Sequence, residues 1–413
     1  RVRIRMLDTS GTVFYPRWWL YRPDGTDVCN SVGDPVADYN CSLNATGTYT
    51  ILAGDYGGTN TGSFNLFIER LNNPGKPALI DFGQTLSGAI TIQPELKAFT
   101  FSASVGDRVR IRMLDTSGTV FYPRWWLYRP DGTDVCNSVG DPVADYNCSL
   151  NASGTYTILA GDYSGTNTGS FNLFIERLNN PGAPTTIAFS QVLSSKIAIS
   201  PELKVFSFSG TAQDRILFRM VDTNKTAFYP RFWVYRPDGS DLCNGIGDPA
   251  ADRSCTLDAS GTFFILAGDY SGQYTGSFSL YLQNLTSPVM TTPIYYEEML
   301  SDTISIPAEW DTFIFEGGIG DMLSIWATRL EEELSMTIRV YRSDGSLLCE
   351  TSTTEDKAVV VCILDALTLP KLGSVISDDT ATYTLMVGDS AEAIGSYELI
   401  INHFLMYLPF TRR

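Results

Sequence analysis

Three observations predict an all-β protein built as tandem jelly-roll or Greek-key β-sandwich domains in an elongated array. They are a long internal repeat, apolar residues alternating with a period of two, and turn-formers at short intervals. The repeat sets the scale. RVRIRMLDTSGTVFYPRWWLYRPDGTDVCNSVGDPVADYNC begins at Arg1 and again, unchanged, at Arg108; a third copy opens at Arg215 as RILFRMVDTNKTAFYP, and a distant fourth at Met322. Arg1 and Arg108 are 107 residues apart, a whole domain rather than a solenoid unit. Each copy should therefore own a core, as beads on a string.

The strands follow from the alternation. Val109-Arg110-Ile111-Arg112-Met113, Thr155-Tyr156-Thr157-Ile158-Leu159 and Ser170-Phe171-Asn172-Leu173-Phe174-Ile175 read as half-buried strands. Between them stand Asp115-Thr116-Ser117-Gly118, Arg129-Pro130-Asp131-Gly132 and Ser164-Gly165-Thr166-Asn167, residues that favour tight turns, and no stretch has helical periodicity over three turns. About eight strands per hundred residues fits a two-sheet antiparallel sandwich.

Joints are marked by proline and glycine, as in Arg70-Leu-Asn-Asn-Pro-Gly75, its copy at Arg177 to Gly182, and Asn284-Leu-Thr-Ser-Pro288. The expected beads are 1–75, 79–182, 186–288 and a divergent 292–404, with a tail at 405–413. Residues 79–107 then belong to the second bead and supply its opening strands, expected at Ile90 to Ile92 and Ala98 to Ala103. The first bead has no such opening, so its sheets should have open edges and uncovered apolar surface. Two ways of covering it are expected: a longer tandem array, which is preferred, or strands donated in trans.

Composition narrows function. With 46 acidic and 29 basic residues in 413, the net charge is −17, which disfavours a nucleic-acid partner. The single histidine, His403, leaves nothing from which to build a Ser-His-Asp triad or a multi-His metal site, and no enzyme is expected. No apolar run approaches the eighteen or so residues of a membrane span. The eight cysteines recur in pairs: Cys29 with Cys41, Cys136 with Cys148, Cys243 with Cys255, and Cys349 with Cys362. None lies in a C-x-x-C motif, and they predict four local disulfides in an oxidising, extracellular setting.

The segments Gly88-Ala-Ile-Thr-Ile92, Leu96-Lys-Ala-Phe-Thr-Phe-Ser-Ala-Ser-Val-Gly-Asp107, Tyr128-Arg-Pro-Asp-Gly-Thr133 and Ala152-Ser-Gly-Thr-Tyr-Thr-Ile158 resemble the bacterial pre-peptidase C-terminal domain. The resemblance extends over nearly the whole chain. It implies a jelly-roll module carried by secreted proteases and, in tandem, by prokaryotic surface proteins.

Candidate contact residues come from the strand Arg17-Trp18-Trp19-Leu20-Tyr21. Alternation puts Trp18 and Leu20 inside and Arg17, Trp19 and Tyr21 outside. The same outward set recurs as Trp126 and Tyr128, and as Trp233 and Tyr235, and offers an aromatic surface for assembly, for a neighbouring bead or for a sugar. The fourth copy has Thr337, Arg339 and Tyr341 there, as a specialised terminal bead would.

Loop acids Asp27, Asp34, Asp38, Asp55 and Asp107 leave calcium open as a ligand, against the alternative that they simply form turns. No other cofactor is expected. Of the Asn-x-Ser/Thr sequons, Asn44 and Asn151 lie beside turns and are the candidates for glycosylation. The end, Leu408-Pro-Phe-Thr-Arg-Arg413, partly resembles a sortase signal, and the run Phe404 to Phe410 is a candidate donor strand. The expected function is an extracellular structural protein, self-assembling into or contributing to a surface filament, sheath or layer. The alternative is a tandem carbohydrate- or protein-binding region of a secreted protein.

Overall fold

The computed structural model describes residues 1–225, 227–365 and 380–404. Its regular elements are all strands, arranged as four sandwiches, as the period-two pattern predicts. The tail at 405–413, with its sortase-like end and most of its candidate donor strand, lies outside the described residues.

The first bead holds β1 (Val2–Asp8), β2 (Pro16–Tyr21), β3 (Asp27–Val32), β4 (Val36–Cys41), β5 (Thr50–Asp55) and β6 (Phe64–Arg70). They form two three-stranded sheets in the orders β4-β1-β6 and β3-β2-β5.

The second bead is larger, with β7 (Ala78–Leu79), β8 (Gln84–Ile90), β9 (Lys97–Ala103), β10 (Arg108–Asp115), β11 (Pro123–Tyr128), β12 (Asp134–Val139), β13 (Val143–Ser149), β14 (Gly154–Asp162) and β15 (Gly169–Arg177). Its sheets run β13-β10-β15-β8 and β12-β11-β14-β9-β7. All pairings are antiparallel except the short β7 beside β9. The opening strands are β8 and β9, and Ile92, expected within the first of them, lies beyond β8 and is exposed.

The third bead repeats this plan with β16 (Thr185–Thr186), β17 (Val192–Ile197), β18 (Lys204–Gly210), β19 (Arg215–Asp222), β20 (Pro230–Tyr235), β21 (Asp241–Ile246), β22 (Ala250–Thr256), β23 (Gly261–Asp269) and β24 (Gly276–Asn284). The fourth uses β25 (Thr292–Pro293), β26 (Met299–Ile304), β27 (Trp310–Gly318), β28 (Met322–Arg329), β29 (Met336–Tyr341), β30 (Leu347–Ser352), β31 (Lys357–Ile363), β32 (Thr380–Asp389) and β33 (Gly395–Phe404). Its sheets are β26-β33-β28-β31 and β25-β27-β32-β29-β30.

Each bead owns a core. In the second, Val109, Ile111 and Met113 of β10 meet Trp125 and Leu127 of β11, Ile158 of β14 and Phe171 and Leu173 of β15. Trp125 donates its indole N–H to the carbonyl of Ala144 at 3.2 Å, so the largest core side chain buries no unpaired polar atom.

The four cysteine pairs close as disulfides in the pairing that their spacing predicts. Cys29 bonds Cys41 between β3 and β4, and Cys136 bonds Cys148 between β12 and β13. Cys243 bonds Cys255 between β21 and β22, and Cys349 bonds Cys362 between β30 and β31. Each bridge therefore ties one sheet of a sandwich to the other. Its second sulfur is the better buried: Cys41, Cys148, Cys255 and Cys362 all belong to the apolar cores, while Cys29, Cys136, Cys243 and Cys349 pack at their margins. The cysteines are thus core residues as well as staples, a role that spacing alone does not reveal.

Two sequence expectations need correction. β1, β10 and β19 are not half-buried: their inner face fills the bead's own core while their outer face is covered by the next bead. The beads are therefore not independent units on a string. Separate apolar clusters bridge them: Leu71, Leu96, Ala98, Trp126, Tyr128 and Leu159 between the first and second, and Phe174, Leu178, Leu203, Trp233, Tyr235 and Leu266 between the second and third. A third cluster joins Leu217, Tyr281 and Leu285 to Trp310, Tyr341 and Met386.

Candidate functional site at the bead joints

The joints are built from two strand patterns. β10 carries Arg110 and Arg112 on its outer face, and Asp145 stands opposite Arg112 on β13. β20 of the next bead presents Arg231, Trp233 and Tyr235 on its outer face. Where these faces meet, Arg110 donates Nε and Nη2 to Asp145 at 2.9 and 2.6 Å and Nη1 to the Tyr235 hydroxyl at 2.9 Å. Its guanidinium carbon sits 3.9 Å from the Trp233 ring centroid, and that of Arg231 sits 4.5 Å away. Arg112 donates to the carbonyl of Pro201 at 3.2 Å. The Arg110 guanidinium is bidentate to one partner and stacked on another, which lysine could not reproduce.

The first joint is the same lock one period earlier. Arg3 bonds Asp38 at 2.9 and 2.6 Å and the Tyr128 hydroxyl at 2.9 Å, and lies 3.8 Å over Trp126. Arg5 reaches the carbonyl of Pro94 at 3.2 Å. The third joint keeps the chemistry but exchanges strands. Trp310 occupies the place of Leu203, Arg339 that of Trp233, and Leu217 that of Arg110. Arg219 bonds Asp252 at 2.8 Å and the carbonyls of Asp389 and Ala391 at 2.7 and 2.8 Å, while Arg339 sits 4.7 Å over Trp310.

Burial acts on the charges of the second joint. It pulls Arg112 down to about 10, since Asp145 only partly compensates. Burial also opposes the charge on Arg110, but the charges and hydrogen bonds of Asp145 and Tyr235 carry it above the ordinary guanidinium range. For Asp145, burial raises the carboxyl and the two guanidiniums more than reverse it, so it is held below the usual carboxylate range. The joint thus stays fully ionised at neutral pH. Removing Asp145 would leave two buried guanidiniums without their hydrogen-bonded or ion-paired carboxylate. An open cleft of about 570 Å³ runs along the second joint past Arg108, Asp145, Asn147, Trp233 and Asp241.

The candidate contact residues divide accordingly. Trp126 and Trp233 are 8% and 7% exposed, and Tyr128 and Tyr235 are fully buried, so these four pack within the chain and present no free ring to a sugar. Trp19 and Tyr21 are only half-buried.

Asn44 and Asn151 are exposed and accept hydrogen bonds from Arg22 and Arg129 at 2.8 and 2.6 Å. Asp258 and Asp365 do the same for Arg236 and Arg342, so this position is an arginine brace in every bead. Two of the loop acids serve locally, since Asp55 accepts from the backbone of Tyr15, Thr59 and Asn60 and Asp107 accepts from Ser104 N; Asp38, expected in a loop, lies instead on β4 and pairs with Arg3 at the joint. Among the described residues no group of three or more His, Cys, Asp or Glu gathers to hold a metal. His403 stacks on Tyr296 and faces Asp321 at 3.2 Å.

From the sequence the Arg-x-Arg donor has no assigned role, and the aspartate of the first joint, Asp38, reads as a loop acid rather than the partner of Arg3. Their signal was present in the outward arginines of a strand whose inward residues are all apolar, repeated at the same interval as the outward Trp-x-Tyr.

No family model matches the chain, and no curated protein matches it. Among solved structures it is similar to the pre-peptidase C-terminal domain of a collagenase from Bacillus anthracis, at 10% identity and a TM-score of 0.23 over 25% of this chain and 99% of that one. It is also similar to tripeptidyl peptidase 2, at 10% identity and a TM-score of 0.19 over 80% of this chain and 33% of that one. A third similarity is to a Bacteroides ovatus glucan-utilisation protein, SGBP-B, solved with a mixed-linkage heptasaccharide, at 12% identity and a TM-score of 0.16 over 95% and 90%. At these scores the similarities carry no argument; the all-β sandwich architecture stands on the chain's own sheets.

Proposed function

We propose that the chain is an extracellular structural array, a stiff series of disulfide-stapled sandwiches that contributes to a surface filament, sheath or layer. One observation carries the reading: an arginine–aspartate–tryptophan lock recurs at three successive joints, with an apolar cluster beside each. A flexible tether for binding modules would have solvated, proline-rich linkers and no buried interface. Near-identical beads repeat a surface along an axis, which suits a scaffold better than a reaction centre. In this reading no bead is catalytic. The short disulfide loops, with sequence separations of 12 or 13, favour durability outside the cell.

Small-angle scattering tests this. The wild type should give the cross-section and length of a rod, unchanged from low to high salt. Asp145→Ala with Trp233→Ala should introduce one hinge, seen as a broadened length distribution. A freely jointed wild type would overturn the reading.

A second reading, a tandem glycan-binding region, has one observation in its favour. An exposed tyrosine pair recurs in three beads as Tyr15 and Tyr56, Tyr122 and Tyr163, and Tyr229 and Tyr270. A glycan array comparing wild type with Tyr163→Ala separates the two: binding lost with rod stiffness intact favours that function.

A further inference from the structure

The second and third beads show what an occupied acceptor face contains. Trp126 and Trp233 each gather one guanidinium from their own strand, Arg124 and Arg231, and two from the preceding bead, the nearer being Arg3 and Arg110 and the farther Arg5 and Arg112. The incoming arginine also bonds the tyrosine two residues on, and Asn40 or Asn147 reaches Asp134 or Asp241.

The first bead carries the same acceptor: Arg17, Trp19, Tyr21 and Asp27 stand where Arg124, Trp126, Tyr128 and Asp134 do. Only half of it is satisfied. Arg17 sits 4.4 Å over Trp19, but no second guanidinium among the described residues reaches that ring. The Tyr21 hydroxyl has no hydrogen-bond partner among them, and Tyr21 is half-buried where Tyr128 is fully buried.

The arginine donor faces of the first three beads are already engaged. The fourth bead does not offer another. Strand register places Ser324, Trp326 and Val359 where the second bead has Arg110, Arg112 and Asp145. Its outer sheet instead shows an apolar row running Met299, Ile400, Trp326, Val359 across all four strands, with Met299 and Val359 exposed.

We propose that the Trp19–Tyr21 face is an acceptor half-joint for one kind of partner: a β-sandwich bead presenting an arginine pair braced by an aspartate, as Arg110, Arg112 and Asp145 do. The fourth bead's own outer face, with Ser324, Trp326 and Val359 in the donor positions, does not present that set. The inference rests on the structural-array reading and names the partner of the first bead's acceptor face. Charge complementarity carries it, since the face offers an indole to a cation, a tyrosine hydroxyl to a donor and the Asp27 carboxylate to a second donor.

The test gives the fourth bead the missing donor. Full-length S324R/W326R/V359D is compared with wild type by sedimentation velocity over a range of concentrations, with circular dichroism and non-reducing mass confirming a folded, four-disulfide chain. Should Ser324→Arg disturb the sheet, W326R/V359D restores the Arg112–Asp145 pair alone and is read the same way. The donor variant should associate head to tail with rising concentration, and adding Trp19→Ala should return it to wild-type sedimentation.

Three results overturn the proposal: a folded donor variant that sediments as wild type, association that survives Trp19→Ala, or wild-type association that requires Trp19. In the last case the apolar face of a second copy is the partner. Scattering from the same samples reads the stiffness of the three internal joints, so a failed acceptor face is distinguished from a failed structural-array reading.

Discussion

The first and second beads are an internal experiment. Residues 1–75 and 108–182 differ only at Thr46/Ser153 and Gly57/Ser164, yet they do not fold to the same extent. The strand β14 runs nine residues where β5 runs six, and β15 nine where β6 runs seven. Ile175 and Leu173 are fully buried, whereas Ile68 and Leu66 are 50% and 42% exposed. The cause is residues 78–103, which place β8 beside β15 and β9 beside β14. Strand length and burial here belong to the neighbouring strand as much as to the strand's own letters.

The sharpest way to break the comparison is to remove one tryptophan from each bead. Trp126→Ala removes a nearly buried ring and two stacked guanidiniums, and should cost about 3–5 kcal/mol. Trp19→Ala removes a half-exposed ring stacked only by Arg17, which also lies over Tyr56, and should cost about 1 kcal/mol. Calorimetry of the two single variants reads this directly. Equal losses would mean that the joint around Trp126 contributes little beyond local packing.

The second largest effect should not distinguish the beads at all. Cys29–Cys41 and Cys136–Cys148 both close a loop with sequence separation 12. In the chain-entropy account the gain, about 3 kcal/mol, comes from restricting the unfolded chain, which is the same in both. Replacing either pair by serine should therefore lower stability equally, measured by denaturant titration. A larger loss in the second bead would show that its complete sheets add a native-state contribution.

These contrasts mark how far the sequence is legible. The sandwiches and their cysteine pairs could be read because alternation and spacing are local. The joint could be half-read. Trp126 and Tyr128 stand out as outward aromatics, and Arg110 and Arg112 as outward cations, but neither pattern says that the two faces meet. That depends on how one bead stacks on the next, information spread over 107 residues. Identical letters at Trp19 and Trp126 cannot carry different burial, and in the third joint the tryptophan has moved to another strand, at Trp310, so following one column of the repeat loses it.

The smallest effect concerns a charge that the opening strands bury. Glu176 on β15 accepts backbone N–H groups of Arg177 and Gly182 at 2.8 and 3.3 Å, and a Cβ added at Gly83 would come within 3.1 Å of its Oε2. Burial pushes its carboxyl up to about 7. The folded chain therefore holds this proton more tightly than the unfolded chain does. The stability it confers is full below the unfolded value near 4.5 and is lost as pH rises through about 7.

Melting temperatures of the wild type should accordingly fall between about pH 5 and 8. Glu176→Gln should flatten that slope and stabilise the chain at about pH 8 by on the order of 1–3 kcal/mol. The third bead already makes this exchange. Gln283 holds the same place and uses its amide to donate to Val289 O and Thr312 Oγ1, both at 3.1 Å, across the joint to the fourth bead. A Glu176→Gln variant no more stable than wild type at that pH would mean that water reaches the carboxylate, and that β8 covers its bead less completely than the burial of Ile175 indicates.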